Sequence, residues 1–161
     1  VDNDLKPKVI QCDIHGANGL AFSADQRWMY TSDTPNAVIY RTPLDEQGEP
    51  GRREVFRRFQ PGEGIPDGAA IDVEGCYWSA MFDGWRIARF SPQGEELETY
   101  PMPVRCPTMV CFGGADMKTL YITTTRENME DDELAKYPLS GAIFTLPVAV
   151  AGMKKLPFRE R

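Results

Sequence analysis

Histidine is nearly absent from this chain, with His15 as its single representative. Cysteine is scarce too: Cys12, Cys76, Cys106 and Cys111 form no CxxC pair and show no zinc-finger spacing to histidine. A Cys/His zinc site is therefore disfavoured. The four are read as reduced, mostly buried thiols of a cytosolic protein, with Cys106 and Cys111 close enough in sequence to meet across a strand. Basic residues are outnumbered, 18 Lys+Arg against 24 Asp+Glu, for a net charge of -6. With no basic patch to offset this, neither nucleic acid nor an anionic membrane is an expected partner. The longest apolar run, Leu146 to Met153, is too short to span a bilayer. No signal peptide is evident, and the first residue is Val1 rather than methionine, which leaves room for an upstream segment. Long stripes of 3.6-residue period are missing, as are GxSxG, P-loop and Rossmann fingerprints.

What the chain does have is turns and short strands. Its 161 residues suffice for one domain or a piece of one, and 14 glycines and 13 prolines punctuate it frequently. Residues Val9 to Ile14 alternate in the manner of a strand tail. Four strands then follow: Gly19–Ser23, Trp28–Ser32, Ala37–Arg41 and Glu54–Phe59. At a fixed shift of 49 residues the pattern restarts. Asn18 meets Asp67, Gly19 meets Gly68, Trp28 meets Tyr77, Val38 meets Ile87 and Pro43 meets Pro92. A third unit begins at Pro107–Phe112, continues with Leu120–Thr124 and closes with Ala142–Leu146. Between its last two strands lies an acidic insert, Arg126 to Ser140, read as a solvated loop with a helical turn or two over Asp131–Lys136.

Units of four short strands repeating at about 40–50 residues are the signature of β-propeller blades. An immunoglobulin-like sandwich is the competing all-β architecture, but it gives no reason for a turn dipeptide, an inner strand and a terminating proline to recur at one offset. The expected fold is thus all-β, with about three four-stranded blades at residues 18–59, 67–103 and 107–158. Three blades leave sheet edges and one side of the core open. Either a longer chain supplies the rest, or two copies close a ring.

The chain is organised around Ile65-Pro66-Asp67-Gly68-Ala69-Ala70-Ile71-Asp72, read as a tight turn that aims a carboxylate and runs at once into a buried strand. Asn18-Gly19-Leu20-Ala21-Phe22 is its repeat. The residue ahead of each inner strand sits at the mouth of a propeller's central channel, so Asn18 and Asp67 converge there. An amide oxygen and a carboxylate suit Ca²⁺, Mg²⁺ or Mn²⁺, with Zn²⁺ also possible. Asn-Gly and Asp-Gly are also ordinary turn dipeptides, and only their shared phase in the repeat points to chemistry. The third unit offers Pro107 or Thr108, neither a strong ligand. Glu63 is read as a solvated loop acid; Asp33, Asp83 and Arg126 as turn or cap residues; Trp28, Trp78 and Trp85 as core or rim aromatics; and His15 as lacking a partner of catalytic type.

Three runs carry a resemblance: Asn18-Gly19-Leu20-Ala21-Phe22-Ser23; Ile65-Pro66-Asp67-Gly68 with Ile71-Asp72 and Glu74-Gly75; and Cys111-Phe112-Gly113-Gly114. Together with Gly141-Ala142-Ile143-Phe144, they make the chain resemble the gluconolactonase/regucalcin (senescence-marker-protein) family. The resemblance implies a six-bladed propeller holding one divalent metal in its channel, with this chain as the C-terminal half. It matches Asn18 and Asp67 to two metal ligands. The family's third ligand, a first-blade glutamate, and its substrate-positioning Arg and Asn have no counterpart here. The implied activity is metal-assisted hydrolysis of sugar lactones, with Asp67 as ligand and general base. The alternative is a non-catalytic calcium- or partner-binding propeller, and a minor option is hydrolysis of other esters or organophosphates. The expected partners are a small sugar lactone and either the N-terminal half or a second copy. The expected location is the cytoplasm.

Overall fold

The structure is a computed structural model that describes residues 6–154. Strands β1 (Ala17–Phe22), β2 (Trp28–Asp33), β3 (Val38–Pro43) and β4 (Glu54–Arg58) form one antiparallel sheet in chain order. Strands β5 (Ile65–Ile71), β6 (Tyr77–Phe82), β7 (Arg86–Phe90) and β8 (Glu96–Pro101) form the second in the same way. The third contains β9 (Pro107–Gly113), β10 (Thr119–Thr124) and β11 (Ile143–Pro147), with helix α1 (Asp131–Lys136) in the connection before β11. Side chains close the turns between strands. Asp25 Oδ1 accepts from Arg27 N and Ser23 Oγ, Asp45 Oδ1 from Gln47 N and Glu49 N, and Ser91 Oγ from Gln93 N and Glu95 N. Such side-chain mimics of a backbone turn explain why Asp and Ser mark the joints.

The innermost strands of successive sheets pack on one another, β1 on β5, and β5 with β6 on β9. Two apolar layers result. Tyr30, Ile39, Phe59, Tyr77 and Phe90 fill the space between the first two sheets; Trp78, Ile87, Val110, Phe112, Leu120 and Ile122 fill the next. The middle sheet is therefore covered on both faces, and Tyr77 to Met81 are buried at every position, where a sheet wet on one side would show alternation. Three antiparallel sheets stacked through their inner strands are a propeller-like arrangement, without a closed ring. Among the described residues no helix is long and apolar enough to cross a membrane.

The structure departs from the sequence reading in four places. Residues 6–14 form no strand. They lie along the first sheet through side chains, Gln11 bonding Thr31 and Thr42 and Lys8 pairing with Glu49. The third sheet has three strands among the described residues, not four. After Pro147 the chain crosses to the second sheet, where Val73 N donates to Ala151 O (2.9 Å) and Met153 N to Ile71 O (3.2 Å). Residues 155–158 of the expected third unit lie outside the described residues. Pro66-Asp67-Gly68 is no turn ahead of a strand but sits inside β5. Finally, Cys12 and Cys111 are exposed while Cys76 and Cys106 are buried, and all four are free of disulfides.

Candidate functional site

Each inner strand begins with an irregularity. The ladder slips register between Asn18 and Ala21 on β1 and between Pro66 and Ala69 on β5. On β9, Pro107 faces Thr124 and Met109 faces Thr123, leaving Thr108 unpaired between them. A bulge of this kind re-aims a side chain out of the strand's alternation. Asn18, Asp67 and Thr108 stand at these three slips, so the repeat positions the sequence aligned are aligned in space too.

Asn18 and Asp67 meet directly: Asn18 Nδ2 donates to Asp67 Oδ1. Hydroxyls of the first sheet fix the carboxylate-bearing backbone of the second. Ser32 Oγ donates to Asp67 O (3.0 Å) and Thr34 Oγ1 to Pro66 O (2.7 Å), while Tyr77 Oη returns a bond to Gly19 O (2.8 Å). The two glycines permit this approach. Gly19 has φ +55°, and a Cβ there would lie 2.8 Å from Asp67 O and collide with Ser32 and Tyr77. Gly68 needs no left-handed backbone; a Cβ there would lie 2.6 Å from Thr108 O and 2.8 Å from Met109 Cα. Gly68 is thus a close-approach residue between sheets rather than a turn residue. Thr108 spends its hydroxyl on Thr123 Oγ1 (2.7 Å).

Burial pushes the Asp67 carboxyl up, and the negative charge of Glu127 pushes it further, to about 6. Among the described residues no lysine or arginine pairs with it. A desolvated carboxylate beside an amide and a second acid, with no cation to balance it, is suited to a divalent ion. The amide fits as well, since turning it about its last bond places Oδ1 where Nδ2 now lies.

The remaining candidates are accounted for locally. Glu63 accepts from Gln60 N (2.5 Å) and stands 3.8 Å from Arg57, a loop acid as expected. Asp33 is 1 % exposed and accepts from His15 N, Gly16 N and Asn36 Nδ2. Burial works against its charged form, but these bonds outweigh it and hold the carboxyl below its ordinary range. Asp83 takes Arg105 Nε at 3.4 Å and Cys106 Sγ at 3.2 Å, and Arg126 Nε donates to Ser140 O (2.8 Å). Trp78 is core, Trp28 lies under the Arg41 guanidinium (4.6 Å), and Trp85 meets Tyr137 edge-on (4.7 Å).

Three features escaped the sequence reading. His15 does have partners, its Nδ1 lying 2.9 Å from Asn36 Nδ2 and 3.8 Å from Asp33 Oδ2. The acidic insert is docked rather than free, through Trp85 against Tyr137 and Arg105 Nε on Glu133 Oε1 (2.9 Å), and it brings Glu127 into the field of Asp67. A signal was present: Asp33 ends β2, Asp83 follows β6 and Glu127 follows β10, an acid at the same end of each sheet. Third, Asp72, Glu74 and Cys76 bring ligand-type atoms within 4.8 Å of one another. Asp72 is already satisfied, however: its oxygens accept from Glu74 N, Cys76 N, Trp78 Nε1 and Arg89 Nε at 2.8–2.9 Å. The Arg89 guanidinium supplies the positive charge there, so this cluster is a structural hub.

Residues 1–126 match the family model of the SMP-30/Gluconolactonase/LRE-like region. The chain is 54% identical over 153 residues to a 6-deoxy-6-sulfogluconolactonase of Pseudomonas putida, covering 94% of this chain and 53% of that protein. It is 40% identical over 147 residues to regucalcin of Danio rerio, covering 89% and 49%. Among solved structures, a calcium-binding protein, regucalcin, of Agrobacterium tumefaciens superposes with a TM-score of 0.88 at 31% identity, over 94% of this chain and 52% of that one. The chain spans about half the length of the relatives it matches.

Proposed function

Because the chain belongs to the SMP-30/gluconolactonase/LRE-like family, we propose that it supplies part of a divalent-metal-dependent hydrolase of sugar lactones. In this reading its three sheets are the C-terminal blades of a six-bladed propeller, completed by the remainder of the protein or by a second copy. One observation carries the proposal: the half-buried Asp67 carboxylate, touched by Asn18 and raised by Glu127, lacks a compensating cation among the described residues. The names of relatives support the substrate class, since one is a 6-deoxy-6-sulfogluconolactonase.

Asn18 and Asp67 would hold one divalent ion, their oxygens suiting Ca²⁺, Zn²⁺, Mn²⁺ and Mg²⁺ alike. When bound, such an ion supplies Lewis acidity toward a lactone carbonyl and makes water a better nucleophile at neutral pH. The chain's own residues do the rest. Asp67 accepts the proton given up by the attacking water. Asn18, being neutral, would ligate without cancelling the ion's charge. Ser32 and Thr34 hold the backbone at Pro66 and Asp67 in place.

The second reading is a non-catalytic calcium-binding propeller, favoured by the regucalcin likeness. Turnover of a sugar lactone by the complete protein, before and after chelation and with each metal restored, separates the two. Loss and recovery support the hydrolase, whereas bound metal with no turnover under any ion leaves the binding protein.

A further inference from the structure

Three positions before Asn18 stands a histidine, His15, whose ring proton is placed by its neighbours. Asp33 is buried, and its Oδ2 accepts from Asn36 Nδ2 at 2.8 Å. A carboxylate oxygen takes only a donor, so this bond fixes which end of the Asn36 amide faces inward. The same Nδ2 lies 2.9 Å from His15 Nδ1. Its first hydrogen goes to Asp33 and its second to His15, so Nδ1 of the neutral ring must be the bare acceptor. The ring proton is then on Nε2. The backbone reinforces the arrangement: His15 N and Gly16 N both donate to Asp33, Thr34 N donates to Gly16 O, and a Cβ on Gly16 would lie 2.7 Å from Pro35 Cδ. The His15 side chain is nonetheless 75% exposed, and no described residue bonds its Nε2.

The position of this donor is informative. Ala17 pairs with Asp33 and Asn18 with Ser32, so the Asp33–Asn36 loop continues the same rung of the sheet. From that loop Thr34 donates to Pro66 O, next to Asp67. His15 and Asn18 are three positions apart, which limits their Cα atoms to about 11 Å. Asn18 in turn touches Asp67, so the histidine and the carboxylate stand at the same end of the first two sheets.

We propose that His15 is a substrate-binding residue, donating Nε2–H to an acceptor oxygen at the end of the lactone remote from its carbonyl. Asn36 and Asp33 are the positioning residues that set its tautomer. The inference rests on the lactonase reading. The shared chemistry is an oxygen on C6, whether the hydroxyl of an ordinary sugar lactone or an oxygen of an anionic substituent there.

The test compares gluconolactone, its C6-sulfonated form and its analogue lacking any C6 oxygen, using the complete metal-loaded protein. His15→Ala is expected to raise KM about three- to tenfold for whichever C6-oxygen substrate is native, with kcat little changed and the C6-deoxy analogue unaffected. His15→Gln, which keeps a donor at that reach, should recover most of the loss. Long-range proton–nitrogen spectra of the wild type should show Nε2 protonated and Nδ1 bare. Equal KM values in wild type and His15→Ala for every substrate, or a protonated Nδ1 in the neutral ring, overturns the assignment and leaves the lactonase reading standing. A wild type that turns over none of the three lactones under any metal overturns both.

Discussion

Asn18 and Asp67, 49 residues apart in the chain, touch across the seam between the first two sheets, each at a bulge in an inner strand. The contact brings two positions of a sequence repeat together, because equivalent residues of neighbouring sheets converge only if those sheets stack through their inner strands.

The glycines beside the two residues set the sheet spacing. Gly68→Ala places a Cβ 2.6 Å from a backbone oxygen that cannot swing away. It should cost about 1–3 kcal/mol in denaturant unfolding, the range of overpacking. Gly19→Ala adds a left-handed backbone to the clash and should cost at least as much. A neutral effect at both positions would mean that the sheets are farther apart than described.

In the absence of metal, the raised Asp67 carboxyl has a definite pH signature. With a folded value of about 6 against an ordinary 3.8, the folded state binds more protons than the unfolded state between those limits. Its contribution to stability is therefore present below about pH 4 and lost as pH rises through 6, by up to about 3 kcal/mol. Asp67→Asn should flatten that segment of the unfolding-versus-pH curve. Under the proposal that Asp67 holds a divalent ion, protons compete with that ion for the carboxylate, and metal affinity should fall about tenfold per pH unit below 6. A curve for Asp67→Asn that parallels the wild type would contradict both statements.

Asp72 is predicted to matter for folding and not for metal. Asp72→Ala takes the buried one of three carboxylates from Arg89 and leaves the buried Cys76 N and Trp78 Nε1 without their acceptor, and should cost about 3–5 kcal/mol. Metal stoichiometry of the folded fraction should be unchanged. A lost equivalent of metal in this variant would place an ion at the Asp72, Glu74 and Cys76 cluster instead.

Oligomeric state is readable from a native mass spectrum of the 161-residue chain. Assembly of two copies into a ring predicts a species near twice 18.1 kDa. A monomer without bound metal points to completion of the site by other parts of the protein.

Much of this was legible in the chain. Alternation and turn residues locate the strands, and the 49-residue shift by itself pairs Asn18 with Asp67. Local signals did not extend further. Residues Val9 to Ile14 have the alternation of a strand, yet the stretch lies along the first sheet through the side chains of Gln11 and the preceding Lys8, a tertiary choice that periodicity does not encode. Gly68 reads as a turn glycine because what needs its missing Cβ is Thr108, 40 positions away. The insert looked solvated because its acidic residues hide the two contacts, Trp85 with Tyr137 and Arg105 with Glu133, that dock it. His15 looked isolated because Asn36 reaches it only after β2 has folded back on β1.

The measurement that bears most directly on the account is lactone hydrolysis by the complete, metal-loaded protein carrying Asp67→Ala, with its circular dichroism recorded alongside. Abolished turnover in a protein that keeps the wild-type β spectrum is the predicted result. Near-normal turnover in that variant would remove Asp67 from the chemistry and contradict the site as built here.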